Sequence, residues 1–168
     1  MNIDVLRENF RKDPVRKIES FDGNYRFLSN FSRHGLYHPA YGSFPTNEHF
    51  FQFIKVDNTD PEEVKKHLIL INSTSNPGVA KSLGKKVKLR KDWDIVKIKY
   101  MYEGLKLKFD QNDDIREKLI ELYNAELIEG NTWGDTFWGV YMGQGTNYLG
   151  ILLMELRDFY IGSILNKT

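Results

Sequence analysis

Cysteine is absent from this chain of 168 residues, which removes disulfides and thiolate chemistry and is compatible with a cytoplasmic setting. An excess of charge is also missing: 24 Lys and Arg stand against 23 Asp and Glu, a formal net charge of +1. That balance gives no broad electropositive field, although a local phosphate site needs only a few cations. No apolar run approaches bilayer-spanning length and the N-terminus has no apolar signal core, so no membrane partner is expected. Histidine is scarce as well. His34, His38, His49 and His67 form no H-E-x-x-H pair, and no metal site is expected.

What the chain does have is aromatic weight, 14% of its residues, beside ordinary shares of hydrophobic (40%) and charged (28%) residues. Aromatics fill a core, and they also wall sites for flat heterocycles. The length suits one domain with a substantial core or two small ones. Residues 1–17, which mix isolated apolar residues with charges of both signs, read as a peripheral helix or arm. Residues 18–168, uninterrupted by a repeat or linker, read as a single domain.

Ile18 to Leu28 predicts a strand-turn-strand region around Asp22-Gly23-Asn24, and the turn-rich residues 29–35 and 38–45 read as loops. Thr46 is placed to cap a helix over Asn47–Val56. Asp60, Pro61 and Glu63 supply a cap, a rigid first residue and a capping-box acid for a helix ending near Asn72. Asn76-Pro77 starts another, which Gly84 is placed to stop. Lys85–Lys91 reads as an exposed strand or basic loop. A long helix from Asp92 or Trp93 has its apolar stripe at Ile95, Ile98, Tyr102, Leu105 and Phe109. Asp113 opens a helix with Ile115, Leu119 and Leu122 towards the core. Short extended pieces surround an irregular loop over Leu127–Val140, and a last helix over Tyr148–Phe159 packs through Leu149, Leu152, Leu153 and Leu156, capped near Asn147.

The segment PTNEHFFQFIK, residues 45–55, carries the first chemical signal. Glu48 and Lys55 are seven residues apart, nearly in angular register and about 10.5 Å apart along a helix axis, with Gln52 between them. Phe50, Phe53 and Ile54 favour the opposite face, while Phe51 lies nearer the polar stripe. A sugar-sized electrophile fits between the acid and the amine; the competing reading is a solvated polar face over a buried aromatic one. His49 reads as a satisfied or surface histidine. The Ser29-Asn30 pair either binds a sugar or phosphate or organises the turn into Phe31.

The second signal lies at residues 131–139, where Asp135 stands between Trp133 and Trp138. The indoles suit stacking on a base and the carboxylate suits a ribose hydroxyl or positive charge at the anomeric carbon. Equally, the rings cover core and Asp135 closes a turn. Glu129 and Asn131 offer further hydrogen-bonding groups. Gly143, Gly145 and Gly150 surround Asn147; their backbone either presents N–H groups to an anion at a helix start or makes a turn and a tight helix contact. Lys85, Lys86, Lys88, Arg90 and Lys91 form a basic surface, by default solvated.

Taken together, FLSNF (27–31), PTNEHFFQFIK (45–55), KSLGKK (81–86), LRKDW (89–93), LIEGNTWGDTFWG (127–139), GQGTNYLG (143–150) and LMELR (153–157) resemble the NADAR, or YbiA-like, family over roughly Phe21 to Arg157. The resemblance implies a compact, predominantly helical α+β domain with short strands and N-glycosidase chemistry. Related members are associated with cleavage of a phosphoribosylamino-pyrimidine intermediate of riboflavin synthesis, and others with removal of ADP-ribose from guanine in nucleic acid. It carries catalytic roles onto Glu48, Lys55 and Asp135, and substrate contacts onto Asn30, Gln52, Arg90, Trp93, Trp133, Trp138 and Asn147. Residues 81–91 are assigned to phosphate recognition only as a group. The implied partner is a phosphorylated ribosyl small molecule, with ADP-ribosylated nucleic acid as the alternative; the chemistry requires no metal or redox cofactor. A non-catalytic nucleotide sensor and a protein-interaction domain are the readings from other functional classes.

Overall fold

The computed structural model describes residues 3–12 and 17–166. In chain order the elements are α1 (Ile3–Lys12), β1 (Lys17–Ile18), a 3-10 helix (Gly23–Leu28), β2 (Leu36–His38), β3 (Gly42–Phe44), α2 (Asn47–Ile54), α3 (Pro61–Asn72), α4 (Pro77–Gly84), α5 (Trp93–Asp110), α6 (Asp113–Glu121), β4 (Glu126–Leu127), β5 (Gly130–Asn131), β6 (Val140–Tyr141) and α7 (Tyr148–Leu165). Helices predominate and the described strands are two or three residues long, an α+β fold. Of the N-terminal segment read as a helix or arm, α1 is a helix; residues 1–2 and 13–16 lie outside the described residues.

The chain divides into two units. Asn30–Asn112 makes the central unit. There α2 packs against α3, α4, α5 and β3. Phe44, Phe50, Phe53, Ile54, Ile71 and Ala80 form its buried core with Leu36. Each buried aromatic contributes roughly 2–3 kcal/mol of transfer free energy. The caps fall where side-chain chemistry places them: Asp60 accepts from the Glu62 and Glu63 amides and Asn76 from those of Gly78 and Val79, each followed by a proline that has no amide to lose. Residues 38–45, expected to be loop, contain half of an antiparallel β2–β3 hairpin with Leu36 opposite Phe44. Its turn is closed by the Tyr41 amide on the His38 carbonyl and by Gly42 in the left-handed region. Lys85–Lys91 is largely irregular, tied to the end of α2 by one antiparallel bridge between Val56 and Leu89.

The expected stripe on α5 holds at Leu105 and Phe109 and fails at its start. Ile95 is 84% exposed, and the buried positions are Met101, Gly104, Leu105, Lys108 and Phe109. Helical period alone admits either face. The close approach permitted by Gly104 selects the one against α2, because a Cβ there would come 2.1 Å from Oδ1 of Asn47.

Met1–Ser29 and Asp113–Thr168 make the terminal unit. β1 pairs with β4 and β5 with β6, both in parallel. The predicted second strand after Asp22-Gly23-Asn24 is instead the 3-10 helix: Gly23 has a φ of 49°, and the Tyr25 amide closes on the Asp22 carbonyl at 2.8 Å. Ile115, Leu119 and Leu122 are buried, as are Leu149, Leu152, Leu153 and Leu156, and α6 packs on α7. α7 runs to Leu165, past the expected end at Phe159, because no proline follows to stop it.

Candidate active site

In the central unit every residue of α2 is buried, so its polar stripe is not a solvated face. The side chains of Thr46, His49, Asn30 and Asn47 build its N-terminus. Thr46 accepts the His49 amide at 3.3 Å, and its oxygen lies 2.8 Å from Nδ1 of the same histidine. Nε2 of His49 lies 3.0 Å from the Thr74 carbonyl. Because a carbonyl only accepts, Nε2 carries the proton and the Thr46 hydroxyl donates to Nδ1. Burial lowers the pKa of His49 and keeps that neutral form. The Asn30 carbonyl takes the Glu48 amide at 3.0 Å, a donor that no earlier turn can satisfy. Oδ1 of Asn30 accepts from Asn47 at 2.8 Å while its Nδ2 faces Sδ of Met101 at 3.3 Å. Both ends of the Asn30 amide are thereby engaged in organising the start of α2.

Glu48 and Gln52 are each only 5% exposed, and Nε2 of Gln52 donates to Oε1 of Glu48 at 2.7 Å. From α3, His67 reaches the Gln52 carbonyl at 3.1 Å. Lys55 closes the helix at its C-terminal end. Burial lowers the pKa of its amine, Glu48 opposes that shift, and Lys81 of α4 and Lys85, which caps that helix, reinforce it. Withdrawing an ionised group from water costs several kcal/mol. A buried acid and a half-buried amine whose pKa is perturbed, set on one helix, make a candidate site for chemistry.

Other expected residues of this unit have identifiable partners. Trp93 packs on Phe51 with ring centroids 5.1 Å apart, which places Phe51 against the first turn of α5. Arg90 donates its amide to the Lys55 carbonyl at 2.9 Å. Its guanidinium makes a bidentate pair with Asp92, at 2.6 and 3.0 Å, and lies 4.9 Å from the Tyr100 ring centroid. Lys88 is paired with Asp57. The basic run thus has internal partners at two of its five cations. Lys81 and Lys85, left without individual roles by the sequence, are the lysines whose charges reach Lys55. The signal was their spacing of four on a helix that Gly84 lets approach α2. Lys81 also lies over the Phe31 ring at 5.7 Å.

In the terminal unit, Trp133, Asp135, Trp138 and Asn147 form a group of their own. Oδ1 of Asp135 accepts the amides of Phe137 and Trp138, at 3.0 and 2.9 Å. Asn131 bonds both the amide and the carbonyl of Asp135. Asp135 therefore closes the turn. Trp133 is 63% exposed, whereas Trp138 is half-buried, edge-on to Phe137 and Tyr148. Asn147, with a φ of 58°, accepts the Glu129 amide and donates to the Leu127 carbonyl. Of the two readings of the glycine loop, the turn and tight helix contact has the observed partners. The amides of Tyr148 and Leu149, which open α7, already donate to the carbonyls of Phe137 and Trp138. Gly150 makes the tight contact instead, since a Cβ there would meet the Leu127 carbonyl at 2.1 Å. Among the described residues, no cluster of His, Asp or Glu has the makings of a metal site, and no helix is long and apolar enough to cross a membrane.

A protein-family model, that of the NADAR domain, matches residues 18–159. The N-glycosidase YbiA of Escherichia coli K12 is 34% identical over 155 residues, covering 90% of this chain and 91% of that protein. An N-glycosidase of Nostoc punctiforme is 36% identical over 147 residues, 86% of this chain and 90% of its own length. The chloroplastic riboflavin biosynthesis protein PYRR of Zea mays is 33% identical over 148 residues; the match takes in 82% of this chain but only 24% of the maize protein. The NMR structure of E. coli YbiA superimposes with a TM-score of 0.74 at 34% identity, covering 89% of this chain and 86% of that one.

Proposed function

The chain belongs to the NADAR family, and from that premise we propose that it is an N-glycosidase hydrolysing a ribosyl C–N bond. Glycosidase chemistry follows at the level of the family. The substrate we assign is a phosphoribosylamino-pyrimidine of riboflavin synthesis. The similarity to the maize riboflavin protein supports it, as does the absence of a large net charge that long nucleic acid would favour.

One observation carries the reading: on a single buried helix face, a carboxylate precedes by two turns an amine driven towards its neutral form. A neutral amine is a nucleophile, whereas an ammonium is not. The Lys55 amine attacks C1′ of the ribose. A bond from Nζ to C1′ forms as the bond from C1′ to the pyrimidine's nitrogen breaks; the electron pair leaves with that nitrogen, which takes up a proton. Opening of the sugar ring gives a protonated Schiff base. Water adds at C1′, the adduct collapses, and ribose phosphate departs while the lysine amine is restored. Glu48 moves the protons, accepting from the attacking group and returning one to the departing nitrogen. Lys81 and Lys85 provide cationic charge near the lysine for the phosphate.

Product analysis with purified protein tests this against its competitors. The expected result is release of pyrimidine and ribose phosphate, faster than release of ADP-ribose from a modified guanine oligonucleotide. Faster cleavage of the oligonucleotide would transfer the assignment to de-ADP-ribosylation, and binding without release would make the protein a sensor. Borohydride is expected to trap a sugar adduct that Lys55→Ala lacks. Glu48→Gln is expected to lower kcat at least about 100-fold. Wild-type turnover in folded Glu48→Gln would overturn the role of the carboxylate.

A further inference from the structure

Gln52 was expected to touch substrate, yet its side chain is only 5% exposed and its amide is turned inward. Nε2 donates to Oε1 of Glu48, and Oε1 of Gln52 has no hydrogen-bond donor. A buried carbonyl oxygen left in that state requires an explanation. It lies against the last residue of α4: a Cβ on Gly84 would fall 2.1 Å from Oε1 and 2.9 Å from both Cβ and Cδ of Gln52. Three atoms spread along the side chain would be crowded, so no rotation of its tip alone relieves the clash. Gly84 does not have a positive φ, so space rather than backbone conformation requires glycine. Alanine would otherwise be the better residue in a helix.

We propose that Gly84 and Gln52 are one positioning device for Glu48, in which the bare Cα of α4 forms the wall that aims the Gln52 amide donor at the carboxylate. The inference rests on the assignment of Glu48 as the proton-transfer group. With the amide reversed, a carbonyl oxygen would face the carboxyl group and the NH2 group would face a carbon, losing the hydrogen bond from Gln52 to Glu48. The packing therefore admits a single amide orientation, which donates to the Glu48 carboxyl group. Other titratable groups reach this face from α2 itself (Lys55), from α4 (Lys81 and Lys85) and from α3 (His67, whose ring is on the Gln52 carbonyl). Towards Asn47, α5 presents Met101 and Gly104, and β3 presents Phe44 to Phe50. Gln52 donates directly to the Glu48 side chain, and its removal acts there first.

The test compares Gly84→Ala, Gln52→Met and the double variant, with folding followed by circular dichroism. Methionine keeps the length of glutamine but has no donor. Each single change is expected to lower kcat at least tenfold with KM within about twofold of wild type. Each should also move the acid limb of the pH–rate profile upwards, because the carboxylate loses a donor that favours its charged form. Since both act through one hydrogen bond, the double variant is expected to be no worse than the poorer single one. Gln52→Glu should move the limb further still, through repulsion between like charges. Multiplying losses in the double variant, or an unshifted acid limb in folded Gln52→Met, would overturn the inference. The latter measurement decides alone if Gly84→Ala fails to fold. Wild-type activity in Glu48→Gln would instead overturn the parent assignment, whereas an inactive Glu48→Gln beside an unaffected Gln52→Met would overturn only the positioning device.

Discussion

The amine of Lys55 sits half-buried, with Lys81 and Lys85 in range, and burial and both charges favour its neutral form while Glu48 favours the cation. In the unfolded chain a lysine holds its proton to about 10.5. The folded protein releases it earlier, so between the lowered value and 10.5 the unfolded state binds more protons. The contribution of this group to stability therefore rises with pH over that window and is lost as pH falls through it. Two outcomes follow. Lys55→Met should abolish the trapped adduct yet stabilise the protein at neutral pH by about 0.5–2 kcal/mol, measured by urea denaturation. Lys81→Gln should move the ascending limb of the pH–rate profile that Lys55 deprotonation sets to higher pH, since a neighbouring charge that lowers the Lys55 value is removed; an unmoved limb would show that the two charges are uncoupled.

At the scale of elements, α2, α3 and α4 were legible because a cap is a local event. Thr46, Asp60 and Asn76 meet amides within three residues, and no distant partner is needed. Thr46→Ala should cost about 1–2 kcal/mol in urea denaturation, because His49 loses the hydroxyl on Nδ1 along with the cap. Thr46→Ser should restore most of that. α7 depends on a non-local clamp. Asn147→Ala would remove the bonds to Glu129 and Leu127 and leave at a φ of 58° a residue that tolerates the left-handed region less well than asparagine. A loss of about 2–4 kcal/mol is expected from two hydrogen bonds and left-handed strain. Sequence reading left Asn147 between ligand contact and helix cap, since an amide able to do either has no local mark. The hairpin at β2–β3 was missed for a related reason: turn formers dominate its composition, and pairing of Leu36 with Phe44 is fixed by the core they share.

For the molecule as a whole, the most consequential ionisable group outside the proposed chemistry is Lys108, which is fully buried and whose pKa burial lowers to about 7. Above that value the folded state carries a neutral amine while the unfolded chain stays protonated to about 10.5, so stability should climb with pH between them. The slope from this group is at most about 1.4 kcal/mol per pH unit. Urea titrations at several pH values across this window should show the rise in wild type and a flatter profile in Lys108→Met; equal slopes would mean that Lys108 remains charged in the folded protein. Nothing in the period of α5 announced this burial, because a lysine on an apolar stripe ordinarily bends its amine to solvent.

What the amino acids determined by themselves was whatever rests on neighbours within a turn or two. That includes the caps, the stripe of Glu48, Gln52 and Lys55, the exclusion of thiol chemistry, and a set of motifs specific enough to mark the family. Tertiary structure alone decided that the polar stripe is buried, that Gly84, where α4 ends as expected, is also required for space, that Lys81 and Lys85 bear on Lys55, and that Asp135 and Asn147 brace a loop. The division has a physical cause. Helical period and capping are short-range properties written in order along the chain, whereas desolvation, close backbone approach and the field of a distant charge depend on which surfaces pack together.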